Sequence, residues 1–193
     1  MCSILVLYVI VDNFLKINVE KSGGKWIYFV ILRNNHSFNG MKLQFLGNID
    51  AKVDAKGRIF VPAIFRKQLQ GADEDYLVLR KDVFQDCLVL YPGSVWEAEI
   101  DILRSRLSKW NAEQQQVFRQ FVLDAERIEM DASGRILLSK RYLQIAQIDV
   151  DVRFLGVDST IEIWSKEKLD GPLLSPELFS SKLQDLMGGD LLP

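Results

Sequence analysis

Histidine and cysteine are scarce in this chain, and each shortage removes a class of chemistry. His36 is the only histidine, and Cys2 and Cys87 stand far apart with no CxxC spacing. A zinc site, a disulfide scaffold and a Ser/His or Cys/His catalytic set are therefore unsupported. No glycine-rich phosphate loop and no metal-ligating cluster is present in the sequence to replace them. Long apolar runs are lacking too. Ser3 to Val11 is apolar but too short to span a bilayer. No Lys or Arg precedes it and no small-residue cleavage site comes after it, so it does not read as a secretory signal. Nor does one sign of charge dominate: 24 basic residues face 26 acidic ones, and the net charge is −2. That excludes a uniformly basic nucleic-acid coat and leaves a local basic patch open.

The chain otherwise has an ordinary globular composition, with 48% apolar and 26% charged residues, which sets aside disordered and fibrous classes. At 193 residues the chain holds one ordinary domain or two small ones. Cys87 lies in the apolar run Cys87-Leu88-Val89-Leu90 and is expected as a buried strand residue. Residues 1–40 show no pattern that connects to the remainder of the chain, whereas pattern begins at once after Met41. Met41 is therefore expected to be the true start, with residues 1–40 a non-native extension. The intact mass of the protein made from its native gene decides that.

The sequence repeats itself. Val53-Asp54-Ala55-Lys56-Gly57-Arg58-Ile59-Phe60-Val61 matches Met130-Asp131-Ala132-Ser133-Gly134-Arg135-Ile136-Leu137-Leu138, with Asp, Ala, Gly, Arg and Ile identical in register. Upstream, Ile49, Ala51 and Val53 alternate with Asp50 and Lys52, and Ile128 and Met130 with Arg127 and Glu129, the mark of a half-buried strand. Downstream, Pro62 and Gly71 bracket a short helix in the first copy. Ser139 supplies an N-cap for its counterpart, Lys140 to Ile145. Each copy then carries two further apolar runs: Tyr76 to Leu79 and Cys87 to Tyr91 in the first, Val150 to Leu155 and Thr160 to Trp164 in the second. Each repeat thus reads strand, turn, strand, short helix, strand, turn, strand.

Between the repeats lies helix. Ser94-Val95-Trp96-Glu97 has the form of a capping box. Trp96, Ile100, Leu103, Leu107 and Trp110 recur at helical spacing, and Asn111 with Gln114 caps a second helix whose apolar face is Val117, Phe118, Phe121, Val122 and Ala125. These stripes serve either the core or contacts between subunits. The predicted organisation is repeat 1 over 48–95, linking helices over 96–124, repeat 2 over 125–168 and a flexible tail over 170–193.

The repeated motif is first of all a turn. Asp54 and Asp131 stand at the first position and Gly57 and Gly134 at the fourth, which suits a type I turn closed by a left-handed glycine. The carboxylate can accept backbone N–H groups of its own turn. Arg58 and Arg135 are not explained this way, because a hairpin needs no arginine after its turn. Each lies four residues beyond its Asp, where a carboxylate can orient the guanidinium. An oriented guanidinium is what bidentate reading of guanine N7 and O6 requires, and a two-stranded ribbon fits the DNA major groove. An ordinary surface Asp–Arg pair has the same spacing.

Local charge separates the two. From Lys52 to Lys67 five bases (Lys52, Lys56, Arg58, Arg66, Lys67) face one acid, and from Arg127 to Arg141 four bases, including Lys140, face two. Both copies of one motif are thus basic in an acidic chain, as a phosphate-facing edge requires. An aspartic dyad is disfavoured, since Ala and a Lys or Ser come after each Asp where such dyads want a hydroxyl residue and Gly, and a basic loop keeps both carboxylates ionised. An enzyme is therefore not expected.

Phe45-Leu46-Gly47, Val53-Asp54-Ala55-Lys56-Gly57-Arg58, Pro62-Ala63, Phe65-Arg66 and Leu69, with Asp131-Ala132-Ser133-Gly134-Arg135-Ile136, resemble the two repeats of the MraZ family over residues 42–169. The resemblance implies an α+β, mainly β fold: two tandem swapped-hairpin β-barrel repeats of SpoVT/AbrB type in a pseudo-twofold unit with linking helices. It implies a cytoplasmic, nucleoid-associated transcriptional regulator that forms a ring-shaped homo-oligomer. Such a protein binds short tandem repeats in double-stranded DNA upstream of the division and cell-wall gene cluster. Arg58 and Arg135 carry over as DNA-contacting residues, with Lys56, Lys52, Arg66 and Lys140 beside them and Asp54, Gly57, Asp131 and Gly134 shaping the hairpins. No cofactor, metal, membrane or small-molecule substrate is expected. The alternative is a protein-interaction module on the same scaffold.

Overall fold

A computed structural model describes residues 17–22, 25–30, 43–72, 74 and 76–188. The chain divides into two units, one over Met1–Asn39 and one over Gly40–Pro193. In the first, β1 (Ile17–Ser22) and β2 (Lys25–Val30) form an antiparallel hairpin, with Ser22 paired to Lys25. This hairpin departs from the absence of pattern expected over residues 1–40; in the sequence, Gly23-Gly24 is the two-residue turn signal that marks it. Cys2 and His36 lie outside the described residues.

The second unit carries both repeats. The first contributes β3 (Phe45–Lys52), β4 (Arg58–Phe60), α1 (Ala63–Gly71), β5 (Leu77–Lys81) and β6 (Leu88–Pro92). The second contributes β7 (Glu126–Ile128), β8 (Arg135–Leu137), α4 (Lys140–Ile145), β9 (Asp151–Asp158) and β10 (Thr160–Ser165). Element order within each copy is as the sequence predicts. Pro62, expected at the first helical position, is the residue before α1, and Gly71, expected just past the end, is the last residue of that helix. Ser139 caps α4 by accepting the Tyr142 N–H.

Pairing crosses between the copies. The six-stranded antiparallel sheet runs β3-β9-β10-β6-β5-β7. Replacing each strand by its counterpart in the other repeat returns the same order read backwards. The first strand of each repeat therefore pairs with the third strand of the other: Ile49 opposes Phe154 and Leu77 opposes Ile128. β4 and β8 pair with each other as a separate two-stranded ribbon, and Ile59 of β4 also bridges back to Val53. The sheet is thus mixed with helices and open. The expected closed barrel is corrected here, because nothing among the described residues joins the edge strands β3 and β7.

One core serves both copies. Phe65 and Leu69 point inward from α1, one helical turn apart, and Tyr142 and Ala146 do so from the second copy. They pack with Leu79, Leu88, Leu90, Phe154, Ile161 and Ile163 from the sheet and with Ile59 and Ile136 from the ribbon. Ile59 and Ile136 stand opposite each other and are fully buried, which seats the ribbon on the core. The Tyr142 hydroxyl donates to the Asp124 carbonyl at 2.6 Å, so the ring is buried without an unpaired polar end. Cys87 is buried as expected, and burial pushes its thiol pKa up.

The linking helices are α2 (Gly93–Ser105) and α3 (Ala112–Leu123). Asn111 caps α3 through the Gln114 N–H. The expected capping box on α2 does not form. Ser94 is already inside the helix; Glu74, from the loop after α1, accepts both its N–H and its hydroxyl. Glu97 accepts the Tyr76 hydroxyl instead. Trp96 stacks on Phe121, whose ring also carries the buried Arg80 guanidinium at 3.9 Å. Trp110 projects into solvent, because α2 ends at Ser105 and helical spacing does not reach it. The tail contains α5 (Pro176–Gly188), none of whose residues is buried.

Candidate nucleic-acid interface

The two Asp-x-x-Gly-Arg turns have nearly identical geometry. In the first, Asp54 Oδ1 accepts the N–H groups of Lys56 at 2.8 Å and Arg58 at 2.9 Å, and the Gly57 N–H closes the turn on the Asp54 carbonyl. In the second, Asp131 Oδ1 accepts from Ser133 at 2.9 Å and Arg135 at 3.0 Å, and Gly134 closes on Asp131. Gly57 and Gly134 have φ of 80° and 83°, the left-handed region where a side chain is strained. Each turn also docks on the other copy. The Gly57 carbonyl accepts the Leu138 N–H, and the Gly134 carbonyl accepts the Val61 N–H.

The same carboxylates hold the arginines. Arg58 Nε and Nη2 each lie 2.8 Å from Asp54 Oδ2, and Arg135 Nε lies 2.8 Å from Asp131 Oδ2. With that edge of Arg58 occupied, the end-on pair of amino groups remains to donate elsewhere. Hydrogen bonds from the Arg58 backbone, then its side chain, hold the Asp54 pKa down to about 2. The Arg135 backbone N–H lowers that of Asp131 in the same way. Both acids are thus fixed in the charged form that orients an arginine.

Cross-strand pairing brings the two arginines together. In the ribbon Arg58 opposes Leu137 and Phe60 opposes Arg135. With Ile59 and Ile136 turned into the core, Arg58, Phe60, Arg135 and Leu137 all share the outward face. Phe60 and Leu137 are not among the residues that sequence reasoning singles out, since large apolar residues read as core. The period-2 alternation with Ile59 is the signal that finds them.

The other predicted residues are placed unequally. Lys56 is exposed in its turn, and Lys140 is exposed at the start of α4. Lys52 is paired with Asp151 at 3.0 Å. Arg66 lays its side chain against Gly134, and its Nε is buried without a hydrogen-bond partner among the described residues. Among the described residues no group of His, Cys, Asp or Glu is placed to hold a metal ion, and no helix is long and apolar enough to cross a membrane.

This geometry coincides with a family match. The family model of the MraZ protein, described as antitoxin-like, matches residues 44–119 and 121–170. The chain belongs to the MraZ family. A Transcriptional regulator MraZ of Bacteroides thetaiotaomicron is 57% identical over 148 residues, covering 77% of this chain and 95% of that protein. One from Bacteroides fragilis is 60% identical over 145 residues, covering 75% and 92%. A more distant one, from Pectobacterium atrosepticum, is 33% identical over 150 residues, covering 74% and 98%. Within this MraZ chain the two matched segments fall on β3 to α3 and on β7 to the short helical turn after β10.

Proposed function

We propose that the chain regulates transcription by binding double-stranded DNA sequence-specifically through the β4–β8 ribbon. The observation that carries this is the pair of Asp-held arginines on one exposed ribbon face. A ribbon of this width fits the major groove, and an oriented guanidinium fork matches guanine O6 and N7. Lys56 and Lys140 contact phosphates. Lys52 and Arg66 contribute less, since one is paired and the other is half-buried. The targets are short tandem repeats upstream of the division and cell-wall gene cluster that includes the protein's own operon.

The domain assignment and the assembly accord with this role. Residues 48–95 and 125–168 are SpoVT/AbrB-type swapped-hairpin repeats, an assignment supported by the exchange of first strands between copies. Residues 96–124 link them, and 170–193 form an appended tail. Copies assemble into a ring, in which few phosphate contacts per subunit are multiplied by effective concentration. The protein acts in the cytoplasm at the nucleoid, without catalysis.

The exposed Trp110, Phe84 and Val117 favour a second reading, a protein-interaction module. Salt separates the two, because phosphate binding weakens steeply as salt rises and apolar docking barely responds. The test is salt-titrated binding to DNA from upstream of the protein's own gene, against scrambled DNA. Tight, specific, salt-sensitive binding supports the regulator; equal weak binding to both DNAs, or none, overturns it.

A further inference from the structure

The outward face of the ribbon holds four side chains, and only two of them are charged. Phe60 and Leu137 are 56% and 58% exposed there, each directly opposite an arginine. These large apolar groups stand outside the core, which the ribbon joins through Ile59 and Ile136. They lie on the surface that faces DNA in the proposed function, and the inference rests on that reading.

We infer that Phe60 and Leu137 are base-contacting residues that read thymine 5-methyl groups beside the bases read by Arg58 and Arg135. The major groove offers one apolar feature, the thymine methyl, and apolar side chains recognise it by contact. Spacing agrees with this. A strand advances about 3.3 Å per residue, so Arg58 and Phe60 are roughly 6.6 Å apart, close to two base steps of about 3.4 Å. The arginine donates to an acceptor edge, and two steps away along the groove the apolar residue excludes water from a methyl.

The two halves of this reading head are not equivalent. Arg135 has its guanidinium carbon 5.6 Å over the Phe60 ring, so the aromatic both orients the arginine and offers its remaining surface to a base. Opposite Arg58 stands Leu137, which has no π-face to hold it. The ribbon therefore presents a pseudo-symmetric pattern with a wider apolar contact on the Phe60 side. Within each tandem repeat that one ribbon reads, thymine is then demanded more strictly on the Phe60 side.

The test compares duplex DNA from upstream of the protein's own gene with the same sequence in which deoxyuridine replaces thymidine, which removes only the methyl groups. The wild-type chain is expected to bind the deoxyuridine duplex roughly fourfold more weakly for each contacted methyl lost. Phe60→Ala and Leu137→Ala are expected to weaken binding to the thymidine duplex and to narrow the difference between the two duplexes, Phe60→Ala more. Arg58→Ala is expected to bind more weakly yet still distinguish them. Equal binding of both duplexes by the wild-type chain, or undiminished discrimination by both Phe60→Ala and Leu137→Ala, overturns the inference while the DNA-binding reading stands. Failure to prefer the upstream sequence over a scrambled one overturns that reading and the inference with it.

Discussion

Phe60 and Arg135 stand directly across the ribbon from each other, one from each repeat, with the guanidinium over the aromatic ring. An arginine placed by the second copy is thus completed by a residue of the first. Neither repeat presents the full face alone, and this organises the expected behaviour of variants.

Arg58→Ala and Arg135→Ala are each expected to weaken specific DNA binding by roughly 5- to 150-fold and to relax base preference at one position. Arg58→Lys is not expected to restore specificity, because a point charge lacks the planar fork. Fluorescence anisotropy on specific and scrambled duplexes checks this; a variant with unaltered discrimination removes Arg58 from the reading role.

Lys56→Ala is expected to act differently, weakening all sequences about evenly and reducing the salt slope by about 1. Ser133 occupies the matching position in the second turn, so Ser133→Ala is expected to leave the slope unchanged. The slope of log K against log salt for the two variants is the measurement.

The turn carboxylates set a pH window. The folded-state pKa of Asp54 lies near 2, below the ordinary 3.8, so its contribution to stability is full above 3.8 and is lost as pH falls toward 2. Asp131 shifts in the same direction. DNA affinity is therefore expected to be insensitive to these acids between pH 6 and 8. Asp54→Asn is expected to be less stable than wild type at neutral pH, with the gap closing below about pH 3. Acid unfolding monitored by circular dichroism tests it; a gap that is undiminished at pH 2 contradicts the assignment.

The two turn glycines are expected to differ in tolerance. Alanine is strained at both, at about 1–3 kcal/mol, because φ is positive. At Gly57 an added Cβ also falls 2.6 Å from the Leu138 carbonyl oxygen, which is backbone and cannot swing away. At Gly134 it meets the flexible end of Arg66. Gly57→Ala is thus expected to lower the thermal midpoint more than Gly134→Ala, as calorimetry can show.

Much of this protein was determined by sequence alone, wherever the deciding interactions span a few residues. The Asp-to-Gly turns, the left-handed glycines, the Asp–Arg pairing and the Asn111 and Ser139 caps arise from groups at most four positions apart. Alternation and helical spacing likewise marked the strands and short helices of both copies. Tertiary structure decided what depends on distant partners. Glu74, not Ser94, caps α2, and Lys52 is drawn to Asp151. Arg66 is drawn onto the second turn. Above all, β4 pairs with β8, and each first strand with the other copy's third. Two similar repeats allow pairing within a copy or between copies with the same local pattern, so no short-range signal separates the two. Burial of residues from both copies in one shared core, Ile59 against Ile136 among them, goes with the exchange, and the β4–β8 pairing places both arginines on one face.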